Sequence, residues 1–264
     1  MLSPTSKFIS LLIGLFLNCF SLASAAKGTD SICAVTNFAI DPFGNCYFLK
    51  GDEIIKTNIL GAELVRYSRK DLGEPTSFDV NNPMRLLVFY APFAVIRILD
   101  NNLIDQSEIN LRELGVLQPK VMAGTPDQGI WIYDEISGSL LKIDTRLKST
   151  AISVDLNQLL AKRPQPIQLL ANQQWLVLRE LNDIMVFDQF GTKIKSIHFD
   201  NPLCLLQLDE NILSMDSGEG LITYDLRLNS SQKSLSPCPE QASKSYISEG
   251  KLWFIRNQCL HFPQ

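Results

Sequence analysis

The stretch DIMVFDQFGTKIKS, residues 183–196, decides the fold. An apolar run from Ile184 to Phe187 ends at Asp188, and Phe190-Gly191 then turns the chain into alternating lysine and isoleucine. This is the pattern of two short strands around a tight turn. Asp and Asn suit the position after a strand because their side chains hydrogen-bond the local backbone. The same step recurs: AVIRILDNNL places Asp100 after an apolar strand, SLLKIDTRL places Asp144, GLITYDLRL places Asp225, and EIIKTNILG offers Asn58 instead. From Asn58 to Asp225 the intervals are 42, 44, 44 and 37 residues.

Two further series keep that period. NCYFLK, RLLVFY, GIWIYD, QWLVLR, NILSMD and KLWFIR each lie one strand earlier and favour β-structure. Trp131 and Trp175 stand 44 residues apart at matching places, and Trp253 takes that place in the last copy. RKDLGE, LRELGV and LNQLLAK follow the ends of successive copies. Asn110 with Glu113 reads as a helix start and Gly115 as its stop; Asp155 reads as a second start, with Pro164 ending that helix.

A period near 40 residues containing four short strands is the signature of a β-propeller. Six units fit, at 36–68, 77–110, 118–155, 165–198, 202–235 and 243–262. The last is one strand short, and segment 31–35 can supply it. The expected fold is therefore all-β: a single six-bladed β-propeller of four-stranded antiparallel blades over residues 26–264, its ring closed by the N-terminal strand of the mature chain. One blade cannot cover both its faces, so neighbouring blades must. That explains continuous apolar runs where a half-exposed strand would alternate. A pair of β-sandwiches predicts no fixed period and a β-helix a much shorter one.

The N-terminus has the layout of a secretory signal over residues 1–25: Lys7, an apolar run from Phe8 to Leu22, then Ala23-Ser24-Ala25. The run is too short for a membrane span. Cys19 invites a lipoprotein reading, but Asn18 before it is larger than that signal prefers. The chain carries a net charge of −4 and no basic stretch, so nucleic acid is not an expected partner. Five cysteines follow the signal: Cys33, Cys46, Cys204, Cys238 and Cys259. Export permits disulfides, and the odd count leaves one thiol over. Cys33 and Cys259 would sit on neighbouring strands of the closing blade; Cys238–Cys259 is the competing pair. Cys204, in NPLCLLQL, reads as a free, buried small hydrophobe.

The segments IDPFGNCYFLKGDEIIKTN, FDVNNPMRLLVFY, LDNNL, GIWIYDE and IMVFDQFG resemble a group of small exported β-propeller proteins common in Bacteroidota, loosely allied to the NHL-like six-bladed propellers. The resemblance spans nearly the whole mature chain, and its motifs are strands and turns. It implies an envelope location, exported to the periplasm or to its outer-membrane boundary, and no particular activity. The Gly-His and Trp-Asp pairs of WD propellers and the twin glycines of kelch blades are missing.

Reactive constellations are sparse. His198 and His261 lie on separate units, which disfavours a histidine-rich metal site. No DxDxDG loop occurs, and the recurrent Asp has a turn explanation already. No GxSxG elbow is present, and DSGEG at 216–220 lacks the Lys and the helix of a phosphate loop. Asp134 and Glu135 are neighbours, which on a strand point to opposite faces. No cofactor and no catalytic residue is assigned.

The turns between second and third strands remain. They share one propeller face with the blade-to-blade connections and hold Tyr90, Phe93, Asp134, Glu135, Arg179, Glu180, Asp216, Glu219 and Arg256. Aromatics and arginine on loops of a rigid ring suit a protein interface. The expectation is a non-enzymatic binding or scaffold module of the cell envelope that docks a protein partner, in the envelope or outer membrane, through this face. The alternative is a lactonase-like hydrolase of a small molecule or glycan at the channel mouth. A third reading, capture of a peptide by a strand edge, requires that 31–35 not close the ring.

Overall fold

The middle strands of several units are buried on both sides. LLVFY (86–90) and IWIYD (130–134) have every residue buried, and DIMVFD (183–188) has four consecutive buried residues. A computed structural model describes residues 31–263, and the signal segment and Cys19 lie outside them. Within that range the chain is a β-propeller of four-stranded antiparallel blades.

The first unit comprises β2 (Asn37–Ile40), β3 (Cys46–Lys50), β4 (Glu53–Thr57) and β5 (Glu63–Ser68); β1 (Ser31–Cys33) precedes it. The second holds β6 (Ser77–Asp79), β7 (Leu86–Tyr90), β8 (Val95–Leu99) and β9 (Asp105–Asn110). The third holds β10 (Pro119–Gly124), β11 (Ile130–Asp134), β12 (Ser139–Ile143) and β13 (Ser149–Ile152). The fourth holds β14 (Gln168–Ala171), β15 (Trp175–Arg179), β16 (Asp183–Asp188) and β17 (Lys193–His198). The fifth holds β18 (Leu205–Asp209), β19 (Ile212–Asp216), β20 (Leu221–Asp225) and β21 (Ser230–Ser234). The last has β22 (Lys244–Ser248), β23 (Lys251–Arg256) and β24 (Cys259–His261), and β1 pairs antiparallel with β24 to complete it. The first four units are separate sheets. The last two merge into one eight-stranded sheet through a single parallel bridge, Leu205 to Ser245.

Each first strand is the inner edge of its meander, and five neighbouring pairs touch: β6 with β10, β10 with β14, β14 with β18, β18 with β22, and β22 with β2. Apolar clusters fill the spaces between units. Tyr47 and Ile54 pack on Leu86 and Val88; Phe89 and Ile96 on Ile130 and Ile132; Trp131 and Tyr133 on Leu176 and Met185. Val177 and Val186 pack on Leu213 and Met215, and Trp253 and Ile255 on Phe38 and Phe48. Burying such side chains is the main favourable term, about 1.5–3 kcal/mol each.

The recurrent turn after each third strand is built alike. Oδ1 of Asn58 accepts from the amides of Leu60 and Ala62, that of Asp100 from Asn102 and Ile104, and that of Asp144 from Arg146 and Lys148. Oδ1 of Asp188 accepts from Phe190 and Thr192. In each of these units the pairing of third and fourth strands shifts register at the turn. Asp225 differs: it pairs with Ser230 without a shift, and its Oδ1 takes the amides of Arg227 and Leu228. Asp144 is held below the usual carboxylate range, chiefly by these amide bonds.

Asn110 does cap a helix, of the 3-10 type, over Leu111–Leu114, with Gly115 left-handed at its end. Asp155 caps α1 (Leu156–Leu160), which stops at a left-handed Ala161, before Pro164 is reached.

Cys33 and Cys259 are register partners and form a disulfide with Cα atoms 3.9 Å apart. Two cysteine expectations are corrected. Cys204, expected to be free, is bonded to Cys238, and that bond excludes the competing Cys238–Cys259 pair; among the described residues Cys46 is the free thiol, buried between the last and first units. The apolar setting of Cys204 was legible; the return of the chain to it after β21 was not.

Candidate functional site

Antiparallel meanders put the turns between second and third strands at the end of the ring where the first strands begin. The connections between units arrive at that same end. The nine residues expected there divide sharply by burial. Tyr90, Asp134, Glu135, Glu180 and Asp216 are all under 8% exposed. Phe93 and Glu219 stand in solvent, and Arg179 and Arg256 are half-buried.

The buried acids staple loops. Asp134 accepts from the amides of Gln118 (2.7 Å) and Ser137 (2.9 Å), tying the connection ahead of β10 to the turn after β11. Glu135 pairs with Lys120 at 2.9 Å and Arg163 at 3.8 Å. Glu180 accepts from Lys162 Nζ and from the Gln165 amide. Asp216 accepts from the Gly218 amide and from Ser236 Oγ. A buried carboxylate needs such donors. These acids therefore shape the face without being presented on it. Tyr90 is interior, with its hydroxyl unpartnered. Burial pushes its phenol up, and it pushes Tyr133 up to about 12, helped by the Glu135 charge. Glu219 accepts from Asn201, and Arg256 lies 5.7 Å from the Phe254 ring.

Beside exposed charges such as Lys162, Arg163 and Glu219, the face presents a set of apolar residues. Phe93, Leu117, Ile136, Leu159, Ile167 and Leu181 are each at least 42% exposed. All belong to the second, third and fourth units or to the connections between them. Hydrogen bonds set them side by side. Arg112 Nη2 donates to the Pro92 carbonyl, which ties the Phe93 turn to the connection leading to Leu117. The Glu135 amide donates to the Gln118 carbonyl, which flanks Leu117 with Ile136. The Ile167 amide donates to the Arg179 carbonyl, which brings Ile167 beside the turn carrying Leu181. Of these six, sequence reading had singled out only Phe93. Single apolar residues in loops carry no periodic signal; only the assembled ring puts them together.

At the centre of the same end, two cations lack a carboxylate among the described residues. Arg179 donates to Gln168 Oε1 at 3.3 Å and to the Leu203 carbonyl at 2.6 Å, and its Nε is shielded from water without a partner. Lys244 donates to Asn37 Oδ1 and to the Phe38 carbonyl, both at 2.6 Å. Burial lowers Arg179 from its ordinary value. Burial, and then the Arg179 charge, pushes Lys244 down to about 8.

The opposite face carries the recurrent turns. Phe43, Leu60, Met84, Ile104, Phe190 and Leu228 are exposed there, spaced one or two to a unit. Cys204, Asp216 and Cys238 place ligand atoms within 4.8 Å of one another, but the two sulfurs are bonded together and Asp216 already serves two donors. A crevice between the first and second units, lined by Tyr47, Phe78, Leu86 and Leu103, leaves no room for a water molecule. His198 lies at the surface with Nδ1 2.8 Å from Asp183, and His261 stacks on Phe254.

The architecture thus defines a β-propeller with one face stapled by buried acids and topped by exposed apolar residues. No protein-family model and no curated protein matches the chain. Solved structures do match in fold. A streptogramin B lyase superposes with a TM-score of 0.60 at 15% identity, over 86% of this chain and 77% of that one. BBS1N, in complex with ARL6DN, gives 0.57 at 14% identity, over 87% and 78%. The Pan2 WD40 domain of Neurospora crassa gives 0.54 at 9% identity, over 88% and 92%. At these identities the likeness concerns the fold alone.

Proposed function

We propose that this chain is an exported, six-bladed propeller of the cell envelope that docks a protein partner through the face bearing Phe93, Leu117, Ile136, Ile167 and Leu181. The count of six follows if the eight-stranded sheet is read as two blades, since its halves are complete meanders joined by one bridge. Two disulfides accord with an oxidising compartment. The observation that carries the docking reading is the apolar arc over three adjacent units, held by a rigid frame of buried acids. Adjacent exposed apolar residues on a folded protein mark contact surfaces. One structural neighbour, BBS1N, was solved bound to another protein.

The hydrolase alternative needs convergent, free carboxylates at the channel mouth. Asp134, Glu135, Glu180 and Asp216 are each occupied by amides, cations or a hydroxyl. The test is affinity capture of the tagged protein from detergent-solubilised envelopes with two variants. Ile136→Asp with Leu181→Asp alters the arc; Phe190→Asp with Leu228→Asp alters the opposite face. One stoichiometric partner lost only with the first pair supports docking here. Loss only with the second pair moves the site to the other face. Hydrolysis of a lactone or glycan panel, with no partner captured, overturns the proposal.

A further inference from the structure

We propose that the channel mouth binds a small oxyanion of the carboxylate or phosphate class between Arg179 and Lys244. The site is distinct from the apolar arc and does not depend on the docking reading. Its parts come from four successive units. Gln168 is the first residue of β14, Leu203 lies two residues ahead of β18, Lys244 opens β22, and Asn37 opens β2. Arg179 leans from the fourth unit to the fifth by bonding Gln168 and Leu203. Lys244 leans from the sixth to the first by bonding Asn37 and the Phe38 carbonyl. The two side chains thus straddle the same end of the axis from neighbouring sectors.

Their internal partners are all neutral oxygens. Each cation satisfies part of its donor set, and no carboxylate neutralises either of them. Lys244 retains one of its three N–H donors, and Arg179 has an orphan Nε besides the spare hydrogens on its terminal nitrogens. Three other cations at this end are paired with buried acids, whereas Arg112 and Arg256 meet only a carbonyl and a ring. Lys120 and Arg163 face Glu135, and Lys162 faces Glu180. An acid was therefore available to this part of the fold and is not placed against Arg179 or Lys244. Like charges held near one another in a half-buried site are costly unless an anion joins them. Guanidinium and ammonium donors are the groups that recognise planar and tetrahedral oxyanions.

The clamping role that both residues play between blades does not compete with this. Gln207 clamps β18 to β22 with a neutral amide, its Nε2 donating to the Ile247 carbonyl and its Oε1 accepting the Ile247 amide. Clamping alone does not call for charge.

The test uses the full chain. Sodium phosphate or sodium acetate is titrated at fixed ionic strength against sodium chloride, and binding is read by calorimetry and by 31P line width. We expect saturable binding of phosphate, acetate or both, absent with chloride. Arg179→Gln and Lys244→Met should each weaken it by about tenfold, the loss typical of one charge-assisted contact. Lys120→Met, whose ammonium already serves Glu135, should leave it unchanged. A tripeptide with a free C-terminal carboxylate, compared with its amide, separates a partner's chain end from a free anion as the source: only the acid should bind. Line-width measurement on the unmodified protein needs no variant, so misfolding of a variant does not shelter the idea. Unsaturable binding, or equal affinity for chloride and phosphate, overturns it. So does retention of full affinity in both folded cation variants.

Discussion

The disulfide between Cys33 and Cys259 should be the largest single contribution to holding the ring shut. β1 has only three residues and is tied to β24 by Ser31, Ile32 and Cys33. Val35 adds one backbone bond, to the Gln258 carbonyl, and is buried in the cluster between the last and first units. The crosslink joins residues 226 apart in sequence. The chain-entropy relation gives about 5 kcal/mol for a loop of that length, near the top of the usual range. For Cys204–Cys238, separated by 34 residues, it gives about 4 kcal/mol. A Cys33→Ser, Cys259→Ser double variant should therefore lower the melting temperature by roughly 10–20 °C at this chain length. The assay is thermal and urea unfolding followed by tryptophan emission, since Trp253 lies buried in the closing unit. A loss under about 1 kcal/mol with β1 still docked would refute the reasoning. It would mean that three paired residues suffice, or that the unfolded chain gains little from release.

Other outcomes follow from the same geometry. Asp188→Ala should cost about 1 kcal/mol by freeing two turn amides, with no change on adding or chelating calcium; a calcium-dependent shift would replace turn with ligand. Gly138→Ala should cost about 2 kcal/mol or more, because a Cβ there would run into the side chains of Asn157 and Asp155 on a backbone with φ of +65°; an unchanged melting point would show that the cap of α1 gives way freely. Lys244 titrates lower in the folded chain than in the unfolded one. Below about pH 8 both states hold the proton and the buried cation's cost is complete; as pH rises towards 10.5 the folded state releases it first, so this group favours folding more. The stability of the wild type relative to Lys244→Met should therefore rise with pH, by about 3 kcal/mol at most, and a falling difference would show the sign to be wrong. Gln207→Ala should cost about 2 kcal/mol by stranding the Ile247 amide and carbonyl, measured by the same urea unfolding.

The repeat was legible because one physical device is copied. An apolar strand ending in Asp or Asn needs only local amides, so it leaves the same trace wherever it occurs, and unit limits inferred from it fall within a few residues of the strands. The shorter interval before Asp225 also has a cause: six residues connect β17 to β18 and two join β18 to β19, fewer than at the corresponding places in the second, third and fourth units. The face was less legible. Asp134, Glu135, Glu180 and Asp216 look like exposed turn acids in the sequence, yet each is drawn inward by donors from a connection that returns many residues away. Leu117 and Ile136 sit 19 residues apart in separate loops, and the bonds of Gln118 with Asp134 and Glu135 make them neighbours. Cys204–Cys238 was missed for the same reason.

The junction of the fifth and sixth units is built on a different principle from the others. Apolar clusters fill the other five junctions, and among the described residues none spans this one. In their place stand the Leu205–Ser245 bridge, the amide clamp of Gln207 on Ile247, the bond from the Ser245 amide to the Cys204 carbonyl at 2.6 Å, and the Cys204–Cys238 crosslink. Apolar contact is non-directional and tolerates sliding, whereas backbone pairing fixes register. The sixth unit also receives β1 from the far end of the chain, so its position decides whether Cys33 can meet Cys259. A junction that locks register next to the closing strand sets that meeting geometrically. On this argument the polar seam is what allows a three-residue strand to find its partner, and the apolar seams could not substitute for it at equal buried area.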